Sequence, residues 1–229
     1  VERKKATKQL ARFMSRHPHN IAQKTEVMLE HFRQKVRHKI GGKAKAMVVT
    51  SSRLRAVKYK QAFDKYLEEN GHDDIKSLVA FSGTVVDEND LRYTEPDMNR
   101  QPNGQPLPEK ELPKKSASDE YQVLLVANKY QTGFDQPKLH TMYVDKRLAG
   151  VHAVQTLSRL NRTHPGKEDT FVLDFVNEPE TIRDAFQPYY ESTTVAENTA
   201  PHQLYDLQAK LDGFQVYLES EVEAFALVF

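Results

Sequence analysis

The sequence predicts an α/β protein in which a parallel β-sheet is covered by helices on both faces. Two observations carry this expectation. Short apolar runs at 46–50, 77–82, 121–127, 141–144 and 170–175 are interspersed with helical patterns. Within those runs the residues are continuously apolar rather than alternating, as in strands buried on both sides. A hydrophobic content of 38% with 28% charged residues is polar for a globular chain, but the apolar runs argue against wholesale disorder.

Each element has a local reason. Residues 4–16 and 20–38 read as basic helices, the first with Leu10, Phe13 and Met14 on one face, the second with Ile21, Val27, Met28, Phe32 and Val36. Gly41-Gly42 ends that pattern. Ala46-Met47-Val48-Val49-Thr50 followed by Ser51-Ser52 is a buried strand running into a helix cap. The helix that follows carries Leu54, Val57, Phe63, Tyr66 and Leu67 near 3.6 spacing, and Asn70-Gly71 closes it. Strands are then expected at 77–82, 121–127, 141–144 and 170–175, with a helix over 150–162 and helices at 179–190 and 201–226. The last of these bears the stripe Leu204, Leu207, Leu211, Phe214, Leu218, Val222 and Phe225, read as core or domain-docking surface. Residues 85–119 stand apart, with five prolines and many acids and amides. They are expected to be a surface insertion, poorly ordered or clamped by neighbours.

The net charge of +1 hides an asymmetry. Residues 1–67 hold 18 Lys/Arg against 4 Asp/Glu, and residues 68–229 hold 15 against 28. Such a division suggests a polyanion-binding face, an internal docking pair, or a piece of something larger. The basic first residues and the apolar run 224–229 favour an excised piece of a longer polypeptide. The absence of cysteine excludes disulfides, thiol catalysis and thiolate metal sites, and fits a reducing compartment. No stretch approaches eighteen apolar residues, so no membrane-spanning helix is expected.

In open α/β sheets, ligands bind beyond the carboxyl ends of the strands. Three segments put polar residues there: Thr50-Ser51-Ser52-Arg53, the run Asn128 to Asp135, and Gln155 to Arg162. Arg159 and Arg162, three apart, are expected to share a helical face with Gln155 one turn earlier. Two guanidiniums and an amide so placed suit anionic phosphate oxygens. The basic run Lys43, Lys45, Arg53, Arg55, Lys58 and Lys60 reads as a solvated face or a phosphate-contacting one. His140 and His164 lack a partner at ligand spacing and read as surface histidines.

Gln155-x-x-Ser158-Arg159-x-x-Arg162 resembles motif VI of superfamily 2 helicases and translocases, usually Q-x-x-G-R-x-x-R. Thr132-Gly133-Phe134-Asp135-x-Pro137 resembles their motif V, and Val48-Val49-Thr50-Ser51-Ser52 stands where motif IV would. Their order and spacing are similar to the second RecA-like domain of that superfamily. The segments 129–137, 139–146 and 155–162, running on to Asp174-Phe175-Val176-Asn177, most resemble the restriction (R) subunit of type I restriction–modification enzymes. The resemblance covers residues 40–177, and the flanking helices weakly.

That resemblance implies a RecA-like domain at 41–177, a basic helical lead-in at 1–40 and a helical extension at 178–229. It implies ATP-driven translocation on double-stranded DNA, with ATP and Mg²⁺ bound only together with a first RecA-like domain. The G-x-x-x-x-G-K-[ST] loop of that first domain does not occur here, and Gly41-Gly42-Lys43 is no substitute. Implied partners are double-stranded DNA, the first RecA-like and nuclease domains of the same subunit, and the modification and specificity subunits, in a bacterial or archaeal cytoplasm. Arg159 and Arg162 would reach the γ-phosphate, with Arg162 the expected arginine finger, and Gln155 would lie near the attacking water. Gly133 would allow close backbone approach, and Asp135 would bond the ribose or brace a motif VI arginine. Thr50, Ser51, Ser52, Arg53, Lys129 and Thr132 would face the DNA backbone. On its own the chain is expected to be catalytically silent. The alternatives are a degenerate RecA-like scaffold used for protein docking and a free-standing nucleic-acid binder.

Overall fold

The computed structural model describes residues 18–101, 103–130 and 134–191. The helices expected at 4–16 and 201–226, and Thr132 and Gly133, lie outside the described residues. The chain divides into two compact units, residues 1–185 and 186–229. Of the second, the end of one helix is described.

Helix α1 (Pro18–His31) turns Ile21, Met28 and Leu29 inward, and its π-helical continuation Phe32–Val36 adds Phe32 and Val36. Val27, expected on the same face, is 48% exposed. Six residues from Ile21, it falls on another side of the helix. The chain then reverses through left-handed Ile40, Gly41 and Gly42 (φ 53°, 62° and 81°), a conformation that glycine adopts at little cost.

Strand β1 (Lys45–Thr50) is buried at every position. Helix α2 (Arg53–Glu69) follows, started by Ser52, whose Oγ accepts a hydrogen bond from Arg55 N at 3.2 Å. With β2 (Ser77–Ala80), β5 (Val123–Val126), β6 (Leu139–Asp145) and β7 (Phe171–Asp174), β1 forms a five-stranded sheet in the order β2-β5-β1-β6-β7. All neighbouring pairs are parallel, so the fold is the α/β architecture with a helix-flanked parallel sheet that the apolar runs predict. One sheet face, with Ala46, Val48, Val79, Leu125 and Tyr143, shares a core with α1 and α2 through residues such as Met28, Phe32, Tyr59 and Phe63. Alternate residues on the other face, Met47, Val49, Leu78, Leu124 and Val144, are also buried.

The insertion 85–119 is clamped rather than poorly ordered. It holds a small antiparallel pair, β3 (Val85–Val86) with β4 (Arg92–Tyr93). Two short helices follow, α3 (Glu95–Met98) and α4 (Leu112–Ala117), the latter entered through a 3₁₀ turn at Glu109–Glu111. Leu107 and Leu112 are wholly buried. Asn99 caps the outer edge of β2: its Oδ1 accepts from Val79 N at 2.8 Å and its Nδ2 donates to Val79 O at 2.7 Å. Glu95 Oε2 accepts from Phe81 N at 2.8 Å. Side chains thus satisfy main-chain groups that an open sheet edge would leave unpaired.

The helix expected over 150–162 is shorter. Helix α5 (Gly150–Leu157) tightens into a 3₁₀ turn, Ser158–Asn161, and Arg162 is extended. Ser158, where the helicase pattern has glycine, donates its hydroxyl to Val154 O at 2.5 Å, a bond to the preceding turn that accompanies helix distortion. Helix α6 (Pro179–Glu191) follows β7.

Candidate functional site

Because the strands are parallel, the segments after β1, β2, β5, β6 and β7 all emerge at one edge of the sheet. The loop after β5 turns through left-handed Asn128 and Tyr130, both with φ 62°. Asn tolerates this conformation, whereas it is uncommon for a residue as bulky as tyrosine. The Tyr130 and Phe134 rings lie 5.1 Å apart, and Phe134 is buried, which anchors the far side of the loop.

Arg159 and Arg162 converge on this loop. Arg159 donates through a terminal guanidinium nitrogen to Phe134 O, and Arg162 Nε lies 3.2 Å from Asp135 Oδ1. They meet consecutive residues although Arg162 has left the helix, so loop contact rather than a shared helical face brings them together. Burial, then the like charge of Arg162, holds the Arg159 guanidinium below its ordinary pKa, with Asp135 opposing. Gln155 is exposed on α5, one turn before Arg159. The sequence-predicted Arg159, Arg162 and Asp135 are therefore brought together, with Gln155 on the helix that leads to them.

The positions expected to face DNA fare differently. Thr50 requires correction: it is wholly buried, and its hydroxyl lies 3.0 Å from Val126 O and 3.2 Å from Ser52 O, which fixes β1 to β5. Thr50 is the last residue of the buried strand, not the first of the loop. Ser52 is occupied as a helix cap, while Ser51 and Arg53 are exposed; Arg53 donates to Ser82 O at 2.8 Å. Lys129, also expected to face the DNA backbone, is already paired with carboxylates. Its ammonium is 2.9 Å from both Glu95 carboxylate oxygens and 2.9 Å from Glu109 Oε2, with 17% of its side chain exposed. Burial would lower its pKa, but the bonds to Glu95 and Glu109 outweigh this and raise it. Glu95 is itself raised, by burial first, against the lowering effect of Lys129.

The basic run is only in part a solvated face: Lys43 and Arg53 are exposed, but the others are buried or paired. Lys45, Arg55 and Lys60 are buried, Arg55 pairs with Asp145 at 2.6 Å, Lys60 with Asp64 and Lys58 with Glu88. His140 is buried as well, with Nε2 2.9 Å from Asp169 Oδ1 and Nδ1 2.9 Å from Thr141 Oγ1.

Sequence reasoning missed several residues that shape the site. Asp145, at the end of β6, is 1% exposed and accepts from Lys24, Tyr59 and Arg55 at 2.6–2.8 Å. Asn177 Oδ1 accepts from Leu148 N at 2.9 Å and its Nδ2 donates to Lys146 O at 2.8 Å, tying the loop before α5 to the end of β7. Lys167 binds the main-chain carbonyls of Leu160 and Arg162, within the arginine-bearing segment, and that of Pro137 after the β5 loop. A lysine after the Pro165-Gly166 turn was the available signal. Among the described residues, no group of three or more His, Asp or Glu could hold a metal ion, and no helix is long and apolar enough to cross a membrane.

Comparison with known proteins bears on this arrangement. The family model described as type I restriction enzyme subunit R domain 3 matches residues 108–177. A Methanocaldococcus jannaschii protein named as a type I restriction enzyme MjaVIIP endonuclease subunit is 31% identical over 141 residues, covering 58% of this chain and 13% of the relative. The type I restriction enzyme HindI endonuclease subunit of Haemophilus influenzae is 34% identical over 82 residues, covering 34% of this chain and 8% of that protein. The chain thus spans a small part of the length of these relatives. Among solved structures, the C-terminal domain of the DEAD-box protein Dbp5 aligns over 75% of this chain and 80% of its own at TM-score 0.42 and 16% identity. Domain 2 of the DEAD-box helicase Mss116p aligns over 75% and 56% at TM-score 0.42 and 18% identity. The segment that contains the loop after β5, α5 and the arginine pair is thus the part of the chain that matches the type I restriction enzyme subunit R domain 3 model.

Proposed function

We propose that this chain is the second motor domain of a longer R subunit that hydrolyses ATP while translocating on double-stranded DNA. The observation that carries this reading is the convergence of Arg159 and Arg162 on Phe134 and Asp135 at the carboxyl edge of a parallel sheet. In this reading residues 41–177 form the motor domain, 1–40 lead into it and 178–229 extend from it.

The donor set, with Gln155 and Arg162 exposed and Arg159 half-buried, fits a nucleoside triphosphate. Two guanidiniums match anionic oxygens, the Gln155 amide can orient a water, and Asp135 can hold Arg162 or accept from a ribose hydroxyl. Bound ATP would supply the phosphoryl group to be transferred to water, and its Mg²⁺ would be held chiefly by the first RecA-like domain. Arg162 would act as the arginine finger, Arg159 would fix the loop after β5 while facing the phosphates, and Gly133 would let the backbone approach. Ser51, Arg53 and Thr132 would track the DNA backbone. In this reading, the chain is inactive without the first domain.

The test is ATP hydrolysis and translocation by the full-length subunit carrying Arg159→Ala or Arg162→Ala. Loss of turnover in a folded protein supports the motor reading. Retained turnover would overturn it and leave a docking scaffold as the better account.

A further inference from the structure

The arginine pair hangs on a 3₁₀ turn, a geometry with poorer hydrogen bonds than an α-helix. Like any helix end, it leaves carbonyls without intrahelical partners. One side chain supplies them. After Arg162 the chain turns at His164-Pro165-Gly166-Lys167, with Lys167 N bonded to His164 O at 3.0 Å and Gly166 at φ +78°. The positive φ suits a type II turn, which favours glycine at its third position. The turn sends the Lys167 side chain back beneath the arginines. Its ammonium donates to Leu160 O at 2.6 Å, to Arg162 O at 2.8 Å, and to Pro137 O at 3.3 Å. Leu160 and Arg162 belong to the segment carrying the arginines. Pro137 ends the loop that offers Phe134 and Asp135. Lys167 therefore joins the arginine-bearing strand of chain to the loop on which the arginines rest, through main-chain atoms of both.

We propose that Lys167 is the positioning residue of the arginine pair, holding the motif VI backbone against the motif V loop so that Arg162 meets phosphate in one fixed geometry. This rests on the motor reading above. Lys167 touches no reacting atom; it acts through the carbonyls of Leu160, Arg162 and Pro137. Burial also holds its ammonium below the ordinary lysine pKa, as expected for a cation partly withdrawn from water. A finger displaced by about 1 Å loses on the order of 10²-fold in rate, and a mere end cap would affect stability alone.

The experiment compares Lys167→Met and Lys167→Gln with wild type in the full-length subunit. It measures kcat and KM for DNA-stimulated ATP hydrolysis, and binding of ADP with and without aluminium fluoride. Lys167→Met is expected to lower kcat by roughly 10²-fold at nearly constant KM, and to weaken ADP–aluminium fluoride but not ADP. Lys167→Gln, which keeps a neutral donor, is expected to fall between. Wild-type kcat per folded molecule, or equal loss of ADP and ADP–aluminium fluoride binding, overturns the role. Should the Met variant not fold, the folded Gln variant carries the same test, and an unchanged kcat in it is equally decisive. If the Arg159 and Arg162 variants keep turnover, the motor reading fails. If they lose it while Lys167→Met does not, the positioning role alone fails.

Discussion

Arg162 is held to Asp135 by an ion pair whose two side chains are 61% and 70% exposed. Exposed pairs of this kind contribute only about 0–1 kcal/mol. The contact can therefore orient Arg162 without preventing its exchange onto a phosphate, and it is not what keeps the domain folded. Arg162→Ala in the full-length subunit is accordingly expected to reduce ATP turnover by roughly 10³–10⁵-fold, the range for arginine fingers. The thermal midpoint should stay within a few degrees of wild type, and steady-state ATPase with a parallel melting curve checks both.

Lys129 and Arg53 lie at the same sheet edge but differ in charge compensation. The Lys129 ammonium faces two carboxylates, Glu95 and Glu109, whereas Arg53 is exposed and donates to the Ser82 carbonyl. A cation that neutralises a DNA phosphate releases a counterion and steepens the salt dependence of binding. Arg53→Ala is therefore expected to lower the slope of log K against log salt by about 1, and Lys129→Ala by much less. Equal slopes for the two variants would mean that Lys129 leaves its carboxylates on binding DNA.

Much of the sheet was legible because a strand buried on both faces needs an unbroken apolar run, and β1, β2, β5 and β6 have one. The polar groups beyond the strand ends were legible for the same reason, since they interrupt such runs, but Thr50, which reads as one of them, is the buried last residue of β1. Pairings between distant segments were not. Lys24 meets Asp145 across 121 residues and Lys39 meets Asp169 across 130, and no local composition announces such partners. His140 and, within the basic run, Lys45, Arg55 and Lys60 were misread on this account: burial and pairing depend on what the fold brings alongside. The insertion was half legible. Its prolines and amides marked it as irregular, but its anchoring by Asn99 and Glu95 depends on the position of one sheet edge.

Asn99 gives that anchoring a measurable cost. It is 3% exposed and its amide satisfies both main-chain groups of Val79. Asn99→Ala would leave a buried donor and acceptor without partners, a loss of about 1–3 kcal/mol for such groups. Urea unfolding measures the loss. Hydrogen exchange locates it: the Val79 amide is expected to lose protection, while the amides of β1 follow only the global change.

Lys45 yields a pH dependence with a definite sign. It is 5% exposed at the start of β1, and its ammonium donates to the carbonyls of Ser118 and Tyr121. Burial, followed by the nearby charge of Lys138, holds its pKa down to about 8 from 10.5, with Asp119 opposing. Below about 8 both the folded and unfolded chains carry the proton, so this group adds no slope. Between about 8 and 10.5 the unfolded chain binds a proton that the folded chain has given up. Stability rises with pH wherever the unfolded state binds more protons, so the Lys45 contribution should become more favourable across that window. Unfolding free energies of wild type and Lys45→Met, measured by urea at several pH values, isolate the effect from the other lysines. Wild type is expected to gain on the variant as pH rises from 8 towards 10.5; a constant difference would give Lys45 an ordinary lysine pKa.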